Sequence, residues 1–153
     1  MNVLWPFSGQ FGRNGVASMS KKWCFTHTTA DTKPWNEGLR KIFDYRDLGI
    51  NAATGGDYVA HIIRCNGNKD PDDVQQWHVH ECDFQYVQVL AGTAKFEYEG
   101  HGIHTLKQGD VVFQPPRIKH RELEVSEDFE VLEIVSPADF ATHVVDPPSG
   151  NLD

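Results

Sequence analysis

Short apolar segments separated by turn residues dominate the chain from Tyr58 onward. Runs of Val, Ile, Phe and Tyr recur there, each ended by Gly, Asn, Asp or Pro. Eight such segments are evident, at residues 58–64, 74–80, 84–90, 94–99, 102–107, 110–114, 118–125 and 129–136. Short strands at this spacing are typical of an antiparallel sandwich or barrel. The pattern therefore predicts an all-β fold.

One segment shows clearly the period of two that a strand with one buried face requires. Its apolar residues are Ala94, Phe96 and Tyr98, and they alternate with the charged residues Lys95, Glu97 and Glu99. The rest of the chain carries no long helical stripe and no repeat. We expect a single domain over residues 20–145, preceded by a flexible extension at 1–19 and followed by a loose tail at 146–153.

Composition narrows the class of protein. The chain has 153 residues, of which 39% are hydrophobic and 24% charged, as in ordinary globular domains. Its formal net charge of −8 argues against nucleic acid and anionic membranes as partners, because both require a basic surface. The start of the chain does not resemble a signal peptide. The three cysteines are an odd number at irregular spacing, which favours reduced thiols in a cytoplasmic protein.

Candidate chemistry centres on the segment "WHVHECDFQ". His78 and His80 are two apart, so in a strand they project to the same side with Cβ atoms about 6–7 Å apart, suited to one ion. Gln85 has the opposite parity, so it joins them only if the chain turns at "ECD". His120 follows the rigid Pro115–Pro116 pair and provides a third imidazole. A His-x-His pair alone is more often a surface or structural feature.

The two segments "HVHECDFQYVQVLAG" and "GDVVFQPPRIKH" together resemble the two motifs of the cupin superfamily. Residues with the spacing of the first motif are His78, His80, Gln85 and Gly92, and those of the second are Gly109, Pro115 and His120. The resemblance covers about residues 58–137. It implies a double-stranded β-helix, or jelly roll, holding a divalent ion such as zinc, nickel, manganese or iron. Among the departures, Arg117 stands where the second motif has a glycine.

The main chemical departure is Gln85, which replaces the usual glutamate ligand. An amide brings no charge, so the ion would keep a net charge of +2, which makes the +3 state of iron harder to reach and strengthens Lewis acidity. A His/His/Gln/His set resembles that of some non-redox cupins, including those that open unsaturated uronate rings and some polyketide cyclases. The alternative is that Gln85 marks a weakened or lost metal site.

Glu133 is the candidate catalytic carboxylate. The uronate type carries an acidic residue on a late strand before Ser-Pro, and "VLEIVSPADF" offers Glu133 there. Val131, Glu133 and Val135 share one face. If that face is inward, we expect a raised pKa and a role as proton shuttle; otherwise Glu133 is a surface carboxylate. His61 is expected to be a packed core histidine rather than a barrel-lining residue.

Three functions remain open at this point. The first is a metal-dependent isomerase, cyclase or lyase acting on a small polar molecule that bears a carbonyl or hydroxyl group. The second is an Fe(II)-dependent dioxygenase, and the third is a binding module without catalysis. A homodimer is expected from the family resemblance. Apolar residues in the N-terminal third could cover a neighbouring copy, namely Trp23, Phe25, Trp35, Ile42 and Phe43.

Overall fold

A computed structural model describes residues 23–31, 34–37, 41–68 and 76–149. The predicted extension at residues 1–19 lies outside these ranges. The elements are β1 (Asn36–Glu37), β2 (Phe43–Asp47), α1 (Ile50–Thr54), β3 (Val59–Cys65), β4 (His78–Glu81), β5 (Phe84–Ala91), β6 (Thr93–Tyr98), β7 (Gly102–Lys107), β8 (Val111–Phe113), β9 (His120–Val125), β10 (Glu130–Ser136) and β11 (Ala141–Val144). No helix of the described residues is both long and apolar enough to span a membrane.

The strands form two antiparallel sheets. One has six strands in the order β1-β2-β3-β10-β5-β8, and the other has five in the order β11-β4-β9-β6-β7. The chain passes from the second sheet to the first between β4 and β5, at Cys82 and Asp83. This is the turn at "ECD" that Gln85 needs. The all-β prediction is confirmed, and each of the eight predicted segments contains a strand.

The core lies between the sheets and is built from the inward residues of both. It comprises Ile42, Phe43, Ile63, Val89, Ala94, Leu106, Phe129 and Val131. The predicted alternation in β6 is present, because Ala94 and Tyr98 are buried and Phe96 packs against the core. Burial of these side chains is the main stabilising contribution, at about 1.5–3 kcal/mol for each large aliphatic or aromatic residue.

The sequence did not predict β1, β2, α1 or β11. The strand β2 matters most, because it brings Phe43 and Tyr45 onto the inner face of the six-stranded sheet. The expected intersubunit role of Ile42 and Phe43 is wrong, since both are buried in the chain's own core. Trp23 and Phe25 are exposed. A homodimer stays a prediction.

Candidate metal centre

Two neighbouring strands of the five-stranded sheet bring three histidines together. His78 and His80 lie on β4, and His120 opens β9. The strands are antiparallel, and the Cα atoms of His78 and His120 are direct partners across them. Because alternate residues of a strand share a face, His80 projects to the same side as His78. Residues far apart in sequence therefore converge by strand register.

The three imidazoles are close enough to bind one ion. One ring nitrogen from each lies within 4.8 Å of the others. The ring centroids of His78 and His120 are 4.1 Å apart, and that of His80 is 5.1 Å from each of them. His78 and His120 are buried and His80 is half-buried. This spacing suits three nitrogen ligands at about 2.0–2.1 Å from a common zinc-like ion.

Hydrogen bonds hold each ring in the orientation that ligation requires. Nδ1–H of His78 donates to the carbonyl of Gln76 at 3.0 Å, and Nδ1–H of His120 donates to that of Ile118 at 3.0 Å. A carbonyl only accepts, so both rings carry their lone pair on Nε2. Nδ1 of His80 lies 2.8 Å from the hydroxyl of Thr142 on β11. Such partners typically orient metal-binding histidines.

Gln85 lies on the opposite sheet, buried beside Glu133. It is the second residue of β5, is 2% exposed, and its Nε2 donates to Oε1 of Glu133 at 2.7 Å. An ionised carboxylate only accepts, so the amide atom facing it is the nitrogen, and the carbonyl oxygen is the other end. That oxygen is the amide atom that can bind a cation.

Glu133 faces inward from β10, which is one of the two orientations that the sequence left open. Val131, Glu133 and Val135 are all buried. One carboxylate oxygen accepts from Gln85 and the other is hydrogen-bonded to Nε2 of His61. Burial alone would raise the pKa of this carboxyl, but the hydrogen bond and charge of His61 outweigh it.

The expected rise in the pKa of Glu133 is therefore wrong. Smaller contributions from the charge of His80 and the amide of Gln85 add to the effect of His61, and the pKa of Glu133 lies below its ordinary value. The physical reason is that a buried carboxylate with two donors is stabilised in its charged form. Apolar surroundings alone would have favoured the neutral acid. Parity left the inward and the outward face open, and it could not identify the partners on the inward face.

A cavity of about 430 Å³ adjoins the histidines and is lined by both sheets. Its polar lining consists of His61, His78, His80, Glu122, Glu133 and Thr142, and its apolar lining of Phe43, Tyr45, Ile63, Phe129, Phe140 and Ala141. The volume lies within the range of small-molecule sites. His61 thus lines the cavity beside Glu133, rather than packing in the core as the sequence favoured.

Comparison with known proteins agrees with this geometry. Residues 61–135 match the family model described as "Cupin domain". This segment is a cupin domain. The sequence has no significant match among curated proteins. Of the four residues predicted to bind metal in the cupin domain, His78, His80 and His120 form a cluster that could hold an ion, and Gln85 as a ligand stays a prediction.

Solved structures share the cupin fold at low identity. KdgF from Halomonas sp. is 21% identical, with a TM-score of 0.59, and the match covers 73% of this chain and 94% of that one. The polyketide cyclase RemF from Streptomyces resistomycificus is 14% identical, with a TM-score of 0.63, covering 82% and 88%. The DMSP lyase DddQ from Ruegeria pomeroyi is 21% identical, with a TM-score of 0.55, covering 77% and 59%. These likenesses establish the fold.

Sequence reasoning missed several residues of the cupin site. Tyr45 lies on β2 and Thr142 on β11, neither of which was predicted. The signal for β2 was present, because Phe43 and Tyr45 alternate with charged residues in "FDYRD". The segment "ATHV" is too short and too mixed to give a comparable signal. Its position beside β4 depends on pairing that only the folded chain shows.

Proposed function

We propose that this cupin is a mononuclear metal-dependent enzyme in which His78, His80, His120 and Gln85 bind a divalent transition metal ion. The observation that carries the proposal is the orientation of the four side chains. Carbonyls fix the rings of His78 and His120, and Glu133 fixes the amide of Gln85. Three imidazoles and an amide oxygen suit zinc, nickel, manganese or iron.

The bound ion would supply Lewis-acid chemistry to a carbonyl or hydroxyl group of the substrate. A neutral amide in place of a carboxylate leaves more positive charge at the site, and this favours polarisation of a substrate over oxidation of the ion. Isomerisation, cyclisation and elimination all need such polarisation together with movement of a proton. Glu133 and its partner His61 are the residues beside the cavity that support proton movement.

The lining of the cavity favours a neutral substrate with an apolar body. Five of its residues are aromatic or large aliphatic side chains, namely Phe43, Tyr45, Ile63, Phe129 and Phe140. Two are carboxylates, and among the described residues no lysine or arginine lines the cavity. A carboxylate-bearing sugar would meet these two carboxylates and would find only the ion, and no cationic side chain of the described lining, to offset its charge, which is costly in a partly dry site. A small carbonyl compound with an aromatic or aliphatic body fits better.

The test combines metal analysis with ligand binding. The full chain is stripped with EDTA, reloaded with zinc, and assayed by thermal shift with neutral aromatic 1,3-dicarbonyls and with unsaturated sugar acids. We expect one zinc per chain, a higher melting temperature, and a further rise with the dicarbonyls only. The iron-loaded protein in an oxygen electrode tests the dioxygenase alternative, since O₂ uptake with a dicarbonyl or catechol would refute Lewis-acid chemistry. No stoichiometric metal would instead favour a binding module.

A further inference from the structure

Glu133 is held between two side chains that serve different parts of the site. Its Oε1 accepts a hydrogen bond from Nε2 of Gln85, and its Oε2 is hydrogen-bonded to Nε2 of His61. Only 11% of its side chain is exposed. Both oxygens are therefore committed to donors inside the protein. A carboxylate in this state can move a proton to a substrate only by giving up one of its two bonds.

His61 differs from Glu133 in this respect. Its Nε2 is committed to the carboxylate, but among the described residues none hydrogen-bonds to its Nδ1. The ring lines the cavity together with His78 and His80. The edge-to-face packing of Tyr45, with ring centroids 5.3 Å apart, holds it from the other side. His61 thus combines a fixed orientation with an available ring nitrogen.

We propose that His61 is the catalytic acid–base residue of this site and that Glu133 is its positioning residue. The inference rests on the proposed function, which it deepens by assigning the proton to a named atom, Nδ1 of His61. Histidine suits this role because its unperturbed pKa lies near neutrality. The arrangement has the logic of a histidine–carboxylate pair, in which the carboxylate fixes the tautomer and stabilises the imidazolium.

The proton transfer needs no group other than the substrate, His61 and Glu133. A C–H or O–H bond of the substrate breaks, its proton passes to Nδ1 of His61, and the electron pair stays on the substrate. Nε2–H keeps its bond to Glu133, whose negative charge offsets that of the imidazolium. Return of the proton from Nδ1 to another atom of the substrate completes an isomerisation. Besides Glu133 on β10, the titratable groups around His61 include Tyr45 on β2 and Asp47, which pairs with His61 across β2 and β3. His78, His80 and Glu122 line the same cavity from the opposite sheet.

A zinc-loaded protein and acetohydroxamic acid test this assignment without the natural substrate. The hydroxamic acid is neutral near pH 8 and binds zinc as an anion, so each binding event must deposit one proton. Calorimetric titration in two buffers of different ionisation enthalpy counts the protons that reach solution. The proteins compared are the wild type, His61→Gln, Glu133→Gln and, as a control on an exposed turn, His101→Gln.

We expect the wild type and the His101→Gln control to release close to no protons, because Nδ1 of His61 accepts the proton that the hydroxamic acid loses. His61→Gln and Glu133→Gln should each release about one proton per zinc, because the first lacks the acceptor and the second lacks the counter-charge. If His61 had only a structural role, His61→Gln would lower the melting temperature of the protein without changing the number of protons released. Retention of the proton by His61→Gln would place the acceptor elsewhere, at Glu133 or at a hydroxide on the zinc, and would overturn the assignment.

The remaining outcomes separate this inference from the proposed function. A wild-type protein that binds zinc and the hydroxamate but releases a proton overturns the role of His61 and leaves the metal site intact. One that binds zinc but not the hydroxamate also overturns it, because the ion then does not face the cavity. Failure to bind any of zinc, nickel, manganese and iron refutes the proposed function itself. Nitrogen NMR of His61 supplies a second readout: Nε2 should carry the proton that it donates to Glu133, and binding of the hydroxamate should add a proton at Nδ1.

Discussion

The amide nitrogen of Gln85 donates a 2.7 Å hydrogen bond to the buried carboxylate of Glu133. This contact explains why the chain carries glutamine where the cupin motif usually has glutamate. A carboxylate at position 85 would face a second carboxylate at the same distance, and both could not be ionised. The amide satisfies Glu133 through its nitrogen, which leaves its oxygen for the proposed metal ion.

Gln85→Glu is therefore expected to destabilise the metal-free protein. At about pH 8 the free energy of unfolding should fall by about 2–4 kcal/mol, because one of two buried carboxyl groups must stay protonated. The folded variant then binds more protons than the unfolded chain, so its stability falls as the pH rises and recovers towards pH 5. Zinc should raise the melting temperature of the variant more than that of the wild type, since an anionic ligand replaces a neutral one.

Gln88→Glu is the matched control for this prediction. Gln88 lies three residues later on β5, is half-buried, and accepts a hydrogen bond from Tyr86. It has the opposite parity to Gln85, so the new carboxylate does not meet Glu133. Urea denaturation with and without EDTA at several pH values measures both variants. Equal stability of Gln85→Glu and Gln88→Glu at high pH would contradict the explanation given for Gln85.

The metal cluster predicts a clear loss of zinc affinity on removal of either buried ring. His78→Ala and His120→Ala should each lower zinc affinity by about 100-fold or more, because two imidazoles remain where three converged. Competition with a chromophoric chelator measures the affinity. His143→Ala is the control: His143 lies on β11 but is an exposed partner of Glu81. Full zinc affinity in both ligand variants would show that the ion binds elsewhere.

The strands and the pair of His78 and His80 could be predicted because they depend on local pattern. Alternation and turn residues define eight strands, and a spacing of two places His78 and His80 on one face. His120 could be added only through its motif, since strand register brings it beside His78. The distance between two strands along the chain does not determine which of their residues pair. The pairing across strands therefore had to be inferred from the family resemblance.

The partners inside the cavity could not be predicted for the same reason. Parity offered Glu133 an inward or an outward face, and the inward one is observed. The direction of its pKa shift depends on His61, which lies 72 residues earlier on the neighbouring strand β3. Apolar neighbours in sequence suggested a neutral acid, whereas cross-strand donors keep it charged. The environment of a buried charge is a tertiary property.

Adding a single methyl group at Gly92, the glycine of the first motif, should strongly destabilise the protein. Its φ is +70°, and a Cβ there would lie 2.5 Å from Oγ of Ser126 and 2.7 Å from the backbone of Phe129. Gly92→Ala should lower the free energy of unfolding by about 3 kcal/mol or more, combining left-handed strain with a backbone clash. Urea denaturation measures the change.

Gly100→Ala separates the two contributions. Gly100 has a similar φ of +74°, but nothing lies within 4 Å of a Cβ built on it. Its substitution should cost only the conformational strain, about 1–2 kcal/mol. If the two alanine variants were equally stable, the close approach of Gly92 to Phe129 would not constrain the fold.

At position 117 we expect the opposite effect, because there glycine should be more favourable than alanine. Its φ is +62°, where the second cupin motif has a glycine, and its N–H donates to the carbonyl of His80 at 3.2 Å. Its exposed guanidinium pairs with Glu81 at 2.6 Å, an ion pair worth at most about 1 kcal/mol at the surface. Arg117→Ala and Arg117→Gly both lose this pair, but only glycine relieves the left-handed strain.

Arg117→Gly should therefore be more stable than Arg117→Ala by about 1 kcal/mol, measured by urea denaturation. At Lys119, two residues on, φ is not positive, so the order should reverse and alanine should be the better substitute. Because the Arg117 N–H bonds to the strand that carries His80, zinc affinity should follow the same order at position 117. Equal stability of the two Arg117 variants would mean that the loop adapts without strain, and the glycine of the motif would then have no conformational basis here.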